Sequence, residues 1–567
     1  MRSRFIPPWA ALALPVTASG LWARSAPSTA AQNTASLKQS PACATDRHSL
    51  VAMIPLTGIA FLVLTAAISL IWSSFKLLGV DEWRALLTDS RASIIQLFEI
   101  QRTCPISLDP MVNHLMANVA MRIFGASAFA LRLPSLLGFL TMQVCLFFFL
   151  RQIATQRAAL FAMAFPALTP ALYYSVEGRP YGLLLGLCAL MMLSWQTATR
   201  RQTNRTVALI TLALALALLL NTQYFRVLLF APIAIAELLR TLQRKRLDLP
   251  LLAAVGAGAG GIVFALPFMR VASEFSDNYN DGVQVRPQLI IVAFREVLAP
   301  VHAHFFHNQL FFFAVFALAA FAVLWVCVRQ VRSAAVLLPV AEAGFLIALA
   351  ALPFFGYLMA LSVTHALPSR YVICAVVGFS ALLAIGLDPL FRRDRAGNLC
   401  LILLFVVVAL GGVIHVRQAR MNRQETLSSL DISPGVKAVL KASPSERLLF
   451  QNTVGFALAS YYEPDAELRS RMVLVYSRDR EMLWTHRDLE YISALHMRGI
   501  TGLPTEDFEL VESQPGDHIF VVYTDPAGGW VNHGWNWLDQ AFVAAHAKVS
   551  LIGPAFQGEV ESVRFRP

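Results

Sequence analysis

Residues 51–72 read VAMIPLTGIAFLVLTAAISLIW, 22 consecutive residues without a charge. A helix needs about 20 such residues to cross the ~30 Å hydrocarbon core of a bilayer. In lipid, only helices and closed barrels satisfy their own backbone hydrogen bonds. Comparable runs recur near 131–150, 158–174, 181–198, 206–220, 224–239, 251–269, 309–328, 335–361, 371–390 and 399–416. The chain is 57% hydrophobic and 14% charged, more apolar surface than a soluble fold can hide. These runs predict a polytopic α-helical membrane protein with about 11 transmembrane helices.

The loops between the runs alternate in charge. Arg151 and Arg157, then Arg200, Arg201 and Arg205, then Arg240, Arg244, Lys245 and Arg246, then Arg329 and Arg332, then Arg392, Arg393 and Arg395 all fall on one side. The positive-inside rule makes that side cytoplasmic. The net charge of +11 therefore sets topology and gives no reason to expect nucleic acid. Residues 1–48 read as a disordered cytoplasmic leader, with a cleaved signal or a misassigned start as alternatives. The transmembrane domain spans 49–419. Its outer side receives the loop 73–130, too long for a mere connector, in which 109–124 has helical periodicity. One or two amphipathic helices at the outer interface are expected there. By the same rule the N-terminus is cytoplasmic.

After residue 420 the composition becomes that of a soluble protein. RLLFQN, RMVLVYS and HIFVVYT look like short buried strands, and 480–497 and 535–547 like helices. Residues 420–567 are thus expected to form a small extracytoplasmic α/β domain on the periplasmic side. It has no Gly-rich phosphate loop, and an acceptor-docking or scaffolding task suits it best. Trp484, Trp530, Trp535 and Trp537 are candidates to stack on a sugar, although core packing is the more frequent use of Trp. Five of the seven cysteines lie in or beside apolar runs, so neither a disulfide framework nor a zinc spacing is present.

Charges beside a membrane are costly, so their placement is informative. Asp81 and Glu82 follow the first run in GVDEW. Glu177 and Arg179 occupy the turn of YYSVEGRPY, and Arg132, Arg226 and Arg370 open later runs. All lie at the predicted outer face. Arginines there are suited to grip a phosphate through bidentate, charge-assisted bonds, and a carboxylate to take a proton from an attacking hydroxyl. The blander accounts are a solvated helix start for Asp81-Glu82, mutual pairing of Glu177 and Arg179, and an Arg370 that snorkels to headgroups. His302, His304 and His307 in HAHFFHN have a spacing that suits a divalent metal, against the plainer account of an interfacial aromatic belt.

Four passages taken together resemble the glycosyltransferase C superfamily, in its branch of protein O-mannosyltransferases, lipid A aminoarabinose transferases and lipopolysaccharide galacturonosyltransferases. They are Asp81-Glu82 after the first run, IFGASAFALRLPSLLGFL at 123–140, TPALYYSVEGRPYGLLLG at 169–186 and LPSRYVICAVVGFSALLAIGL at 367–387. The resemblance covers roughly residues 50–420. It implies a sugar donor carried on a polyprenyl phosphate and an acceptor hydroxyl on a glycolipid, polysaccharide or protein. It also implies transfer with inversion at the outer face. By place in the motifs, Asp81 would be the base and Glu82 would assist or orient it. Arg179 and Arg370 would hold the lipid phosphate, Glu177 would orient Arg179 or touch the sugar, and Tyr174 and Tyr181 would line the cleft. Relatives commonly carry His-Pro-Pro where this chain has Cys104-Pro105-Ile106, and His-Tyr-Phe where it has Gln223-Tyr224-Phe225. Those departures leave metal use and the acceptor open, with Asp109 and His114 as polar candidates nearby.

Two rivals belong to other classes. A transporter or flippase of lipid-linked glycans would place polar, broken helices at the midplane and show internal repeats, and neither is seen. A non-catalytic relative that binds glycan lipids would retain donor binding without turnover.

Overall fold

The computed structural model describes residues 54–90, 93–103, 106–107, 109–200, 203–279, 285–299, 339–485, 488–523 and 537–565. The expected leader, the run 309–328, His302, His304, His307, Trp530 and Trp535 lie outside the described residues.

The first apolar run forms α1 (Leu56–Phe75). Three helices follow in the loop that the sequence marks as too long for a connector: α2 (Val80–Asp89), α3 (Ile94–Thr103) and α4 (Met111–Phe124). Ile95, Phe98, Val119 and Ile123 stay exposed on α3 and α4, as expected of helices that lie against lipid. The bundle continues with α5 (Ala128–Leu150), α6 (Gln156–Ala164), α7 (Ala171–Ser175), α8 (Tyr181–Arg200), α9 (Arg205–Leu220), α10 (Phe230–Arg244), α11 (Leu249–Gly260), α12 (Ile262–Tyr279) and α13 (Gln288–Leu298). It then runs through α14 (Val340–Ala350), α15 (Leu352–Met359), α16 (Ala375–Gly386), α17 (Asp388–Phe391) and α18 (Asp394–Ser429). By length and composition, five of the described helical segments suit a membrane crossing, and a sixth if the bent pair 340–364 counts as one.

The run at 158–174 is not one helix. Pro166 and Pro170 withdraw backbone donors, so α6 passes through a 3-10 turn at Phe165–Leu168 into the short α7. The chain is thereby bent just ahead of the YYSVEGRPY turn. That turn is held against α5 by small residues. A Cβ on Gly182 would stand 2.4 Å from the Ser135 carbonyl oxygen, and one on Gly186 would stand 2.4 Å from that of Gly138. Gly182 and Gly186 are four residues apart, the spacing that lets two membrane helices meet backbone to backbone. Replacing Gly186 by Leu is expected to lower stability by about 1–3 kcal/mol through overpacking, read by unfolding in detergent.

The last 36-residue helix, α18, leads into α19 (Pro434–Ala442) and an α/β domain. Its elements are β1 (Leu448–Phe450), α20 (Thr453–Tyr462), α21 (Ala466–Ser470), β2 (Met472–Tyr476), α22 (Arg478–Thr485), α23 (Leu489–Thr501), β3 (Thr505–Asp507), α24 (Phe508–Glu512), β4 (Asp517–Tyr523), α25 (Leu538–Ala544), β5 (Lys548–Ala555) and β6 (Gly558–Arg564). The sheet order is β3-β2-β1-β4-β6-β5. The first four strands are parallel, and β6 and β5 pair antiparallel at one edge. Strands β1, β2 and β4 are the three apolar runs of the sequence. The β5–β6 hairpin is not foreshadowed, because its exposed face breaks the apolar pattern. Trp537 is buried and packs edge-on to Phe508, so it belongs to the core of this domain, while Trp484 is partly exposed.

Candidate active site

Four residues separate α1 from α2, whose first turn presents successive charges in different directions. Asp81 is half exposed, with 51% of its side-chain surface open, and its Oδ2 pairs with Arg179 Nη1 at 3.0 Å. Glu82 is buried. Its Oε1 accepts from Arg132 Nε at 2.7 Å and from the Gly178 amide at 2.6 Å. Its Oε2 accepts from Arg132 Nη2 at 2.8 Å, Lys76 Nζ at 2.8 Å and the Gly79 amide at 3.1 Å. Five donors on two oxygens leave no lone pair for an acceptor's proton. These are the contacts of an orienting residue. Burial opposes the charge, but Arg132 and Lys76 outweigh it and hold the Glu82 carboxyl down at about 2.

Arg132 also donates to the carbonyls of Ser73, Lys76 and Leu77 at 2.8, 3.1 and 3.0 Å. These are the orphan acceptors at the end of α1. The Glu82–Arg132 pair thus locks the end of α1, the start of α2, α5 and the Gly178 turn into one piece. Ser135 adds a bond from its hydroxyl to the Arg179 carbonyl at 2.5 Å.

The guanidinium of Arg179 faces two carboxylates, Asp81 and, at 3.3 Å from Nε, Asp109 Oδ2. Arg179 therefore does not pair with Glu177. Among the described residues Glu177 makes no hydrogen bond or ion pair. The carboxyls of Asp81 and Glu177 shift in opposite directions. Arg179 beside Asp81 holds its carboxyl below the usual range. Burial, with Glu82 and Asp81 nearby, pushes that of Glu177 up. The sign for stability follows. A raised folded pKa disfavours the ionised fold, so this group destabilises the protein as pH rises through its unfolded and then its folded pKa. Glu177→Gln is accordingly expected to raise the melting temperature at pH 7 and leave it nearly unchanged at pH 4, measured by thermal unfolding.

Arg370 sits in a 3-10 turn, Ser369–Val372, that opens onto α16. Its guanidinium lies over the Tyr371 ring at 5.7 Å and interacts electrostatically with Tyr181, Arg179 and Tyr174. No carboxylate pairs with it among the described residues. Tyr174 and Tyr181 stand 4.9 Å apart, centroid to centroid, and Tyr371 packs tilted against Phe225 at 4.4 Å. Arg226 is buried and donates to Cys374 Sγ at 3.5 Å, while its Nε and Nη2 have no hydrogen-bond partner among the described residues. Asp81, Glu177, Arg179, Arg370 and the two tyrosines thus share one end of the bundle.

Three contributors carry weaker sequence signals. Lys76 lies just before α2, and its ammonium reaches both Glu82 and the Tyr173 ring. Asp109 completes the surroundings of Arg179. His114 and Asp89 form a buried pair, Nδ1 to Oδ1 at 2.6 Å. Burial opposes a charged His114, yet the Asp89 and Asp109 carboxylates outweigh it and raise the imidazole. Among the described residues no group of three His, Cys, Asp or Glu side chains is placed to hold a metal ion.

This architecture is similar to that of ArnT from Cupriavidus metallidurans bound to undecaprenyl phosphate. The TM-score is 0.53 at 12% identity, covering 90% of this chain and 98% of that one. ArnT in the apo state gives 0.52 at 12% identity, covering 89% and 98%. Residues 108–269 match the model of the dolichyl-phosphate-mannose-protein mannosyltransferase family. No curated protein matches the sequence. The fold and its apolar helices define a multi-pass membrane protein. Over residues 108–269 the sequence is thus similar to that mannosyltransferase family, and its fold as a whole is similar to that of ArnT.

Proposed function

We propose that this chain transfers a sugar from a polyprenyl-phosphate donor to an acceptor hydroxyl, with inversion, at the outer face of a bacterial inner membrane. In this reading the bundle has about eleven spans and the α/β domain is periplasmic. The observation that carries the reading is the arrangement at one bundle end: a half-exposed Asp81, the Arg179 it pairs with, and Arg370, which has no carboxylate partner among the described residues.

The acceptor oxygen attacks the anomeric carbon, and the bond from that carbon to the phosphate oxygen breaks. The electron pair leaves with the phosphate, and the acceptor proton passes to Asp81. A phosphate is already a good leaving group, so its developing charge needs cations rather than an acid. Arg179 and Arg370 supply them, and Tyr174 and Tyr181 line the path. Glu177, unpaired among the described residues, is placed to accept from a sugar hydroxyl. Glu82 orients α2 and takes no proton.

The same geometry couples donor binding to the base. Without donor, Arg179 is neutralised by Asp81 and Asp109. A bound phosphate competes for that guanidinium. As the Asp81–Arg179 pair loosens, the Asp81 carboxyl regains basicity where the proton must go. The test is release of free undecaprenyl phosphate by the purified protein in nanodiscs. It is followed by mass spectrometry against a panel of undecaprenyl-phosphate-linked pentoses and hexoses. Release that depends on an added acceptor supports the reading; none with any donor overturns it.

A further inference from the structure

The charged start of α2 continues beyond Glu82, and its next two residues leave the membrane bundle. Trp83 is buried and packs edge-on to Phe456 of α20 at 6.0 Å, and Phe456 packs in turn on Phe450 of β1. Arg84 Nη2 donates to both oxygens of Glu490, in the first turn of α23, at 3.0 and 2.9 Å. Thr453, the first residue of α20, also donates to Glu490. A second attachment lies just ahead of α2, where the Leu78 amide donates to the Tyr462 hydroxyl at 2.8 Å. Leu78, Trp83, Ala85 and Leu86 share one core with Leu448, Phe450 and Phe456.

Position in the sheet gives these contacts meaning. Helix α20 starts at the carboxyl end of β1, and α23, which follows β2 and α22 and leads to β3, brings its first turn to the same place through the Thr453–Glu490 bond. In doubly wound sheets the crevice outside the carboxyl ends of the strands is where ligands bind. In this chain that edge receives its own helix α2. Helix α2 is therefore gripped from two sides, by Glu82 on Arg132 within the bundle and by Arg84 on Glu490 within the α/β domain. Asp81 projects between them toward Arg179.

We propose that the α/β domain is a working part of the catalytic centre: through the Arg84–Glu490 pair and the Trp83 socket it holds α2 so that Asp81 faces the donor. Arg84 and Glu490 are then positioning residues, which touch neither sugar nor phosphate. The catalytic half of this proposal rests on the transfer reading above, whereas the mechanical half does not.

The experiment separates the two halves. Full-length protein in nanodiscs, with no substrate added, is compared by hydrogen–deuterium exchange as wild type, Glu490→Gln, Arg84→Met and the charge swap Arg84→Glu with Glu490→Arg. Each single substitution is expected to speed exchange of the amides in 80–89 by roughly tenfold, as weakening of a partly buried charged pair lowers the cost of local opening. The swap is expected to recover most of the protection, and the conservative Glu490→Gln should keep the β-strand amides protected, which excludes general unfolding. With a donor that the wild type turns over, both single substitutions should lower kcat about tenfold with KM within about twofold, the pattern of a misplaced catalytic group. Unchanged exchange in 80–89 overturns the proposal, and so does a rise in KM at constant kcat. If the wild type turns over no donor, only the transfer reading falls, and exchange alone decides the clamp.

Discussion

Asp81→Asn is expected to lower turnover by about 10²–10⁴-fold, the usual worth of a positioned general base, with stability close to wild type. The side chain is half exposed, and its pair with Arg179 is of the kind worth about 0–1 kcal/mol. A less ordinary result accompanies the loss. With Asp81 uncharged, Arg179 has one competitor fewer for the donor phosphate, so KM should fall as kcat falls. The pH profile has a defined sign as well. Asp81 is held below the usual carboxylate range by Arg179 in the free enzyme, so the acid limb of kcat/KM lies below that of an ordinary aspartate. In the donor complex the phosphate shares Arg179, so the acid limb of kcat should lie at higher pH than that of kcat/KM. Steady-state kinetics over roughly pH 3–7, the window in which a carboxylate base titrates, check both statements.

Glu82→Ala should do the reverse, damaging the fold rather than a chemical step alone. It removes the only carboxylate that pairs with Arg132 among the described residues, and that guanidinium is 2% exposed. Removing one partner of a buried pair costs about 3–5 kcal/mol, because the other charge is left uncompensated. The carbonyl ends of α1 would lose their fixed donor too, since Arg132 bridges them to Glu82. Sign and window follow from the depressed carboxyl. The stabilisation is fully present above the ordinary value of 4.5 and is lost as pH falls toward about 2. Arg132→Met on the Glu82→Ala background should recover part of the loss. Thermal unfolding of both singles and the double variant measures the coupling. Together the two neighbours are expected to separate cleanly: Asp81 carries rate and little stability, Glu82 stability first and rate through it.

Two of the four passages that carry the family resemblance turn out to be one physical unit. IFGASAFALRLPSLLGFL and TPALYYSVEGRPYGLLLG meet where Ser135 and Gly138 of α5 touch Gly182 and Gly186 of α8. Their small residues were legible as a pattern, but the contact is between chain segments that local periodicity does not relate. The same limit hid the partners of the charged residues. That Asp81, Glu82, Arg132, Glu177 and Arg179 cluster at a membrane face could be read from cost alone. Which carboxylate takes which guanidinium could not, since Glu82 pairs across 50 residues with Arg132 and Arg84 across 406 with Glu490. The broken helix at 156–175 was signalled by Pro166 and Pro170 but masked by an otherwise continuous apolar run. In the α/β domain the buried parallel strands announced themselves as apolar runs, whereas the partly exposed β5–β6 hairpin did not.

The central claim is that Arg179 and Arg370 receive a lipid phosphate beside Asp81. Cryo-electron microscopy of the full chain in nanodiscs with undecaprenyl phosphate tests it most directly. The account predicts phosphate density within hydrogen-bonding reach, about 2.7–3.2 Å, of both guanidinium groups, with the Asp81–Arg179 pair opened from its 3.0 Å contact. Phosphate bound elsewhere, with Arg179 still closed on Asp81, would contradict it.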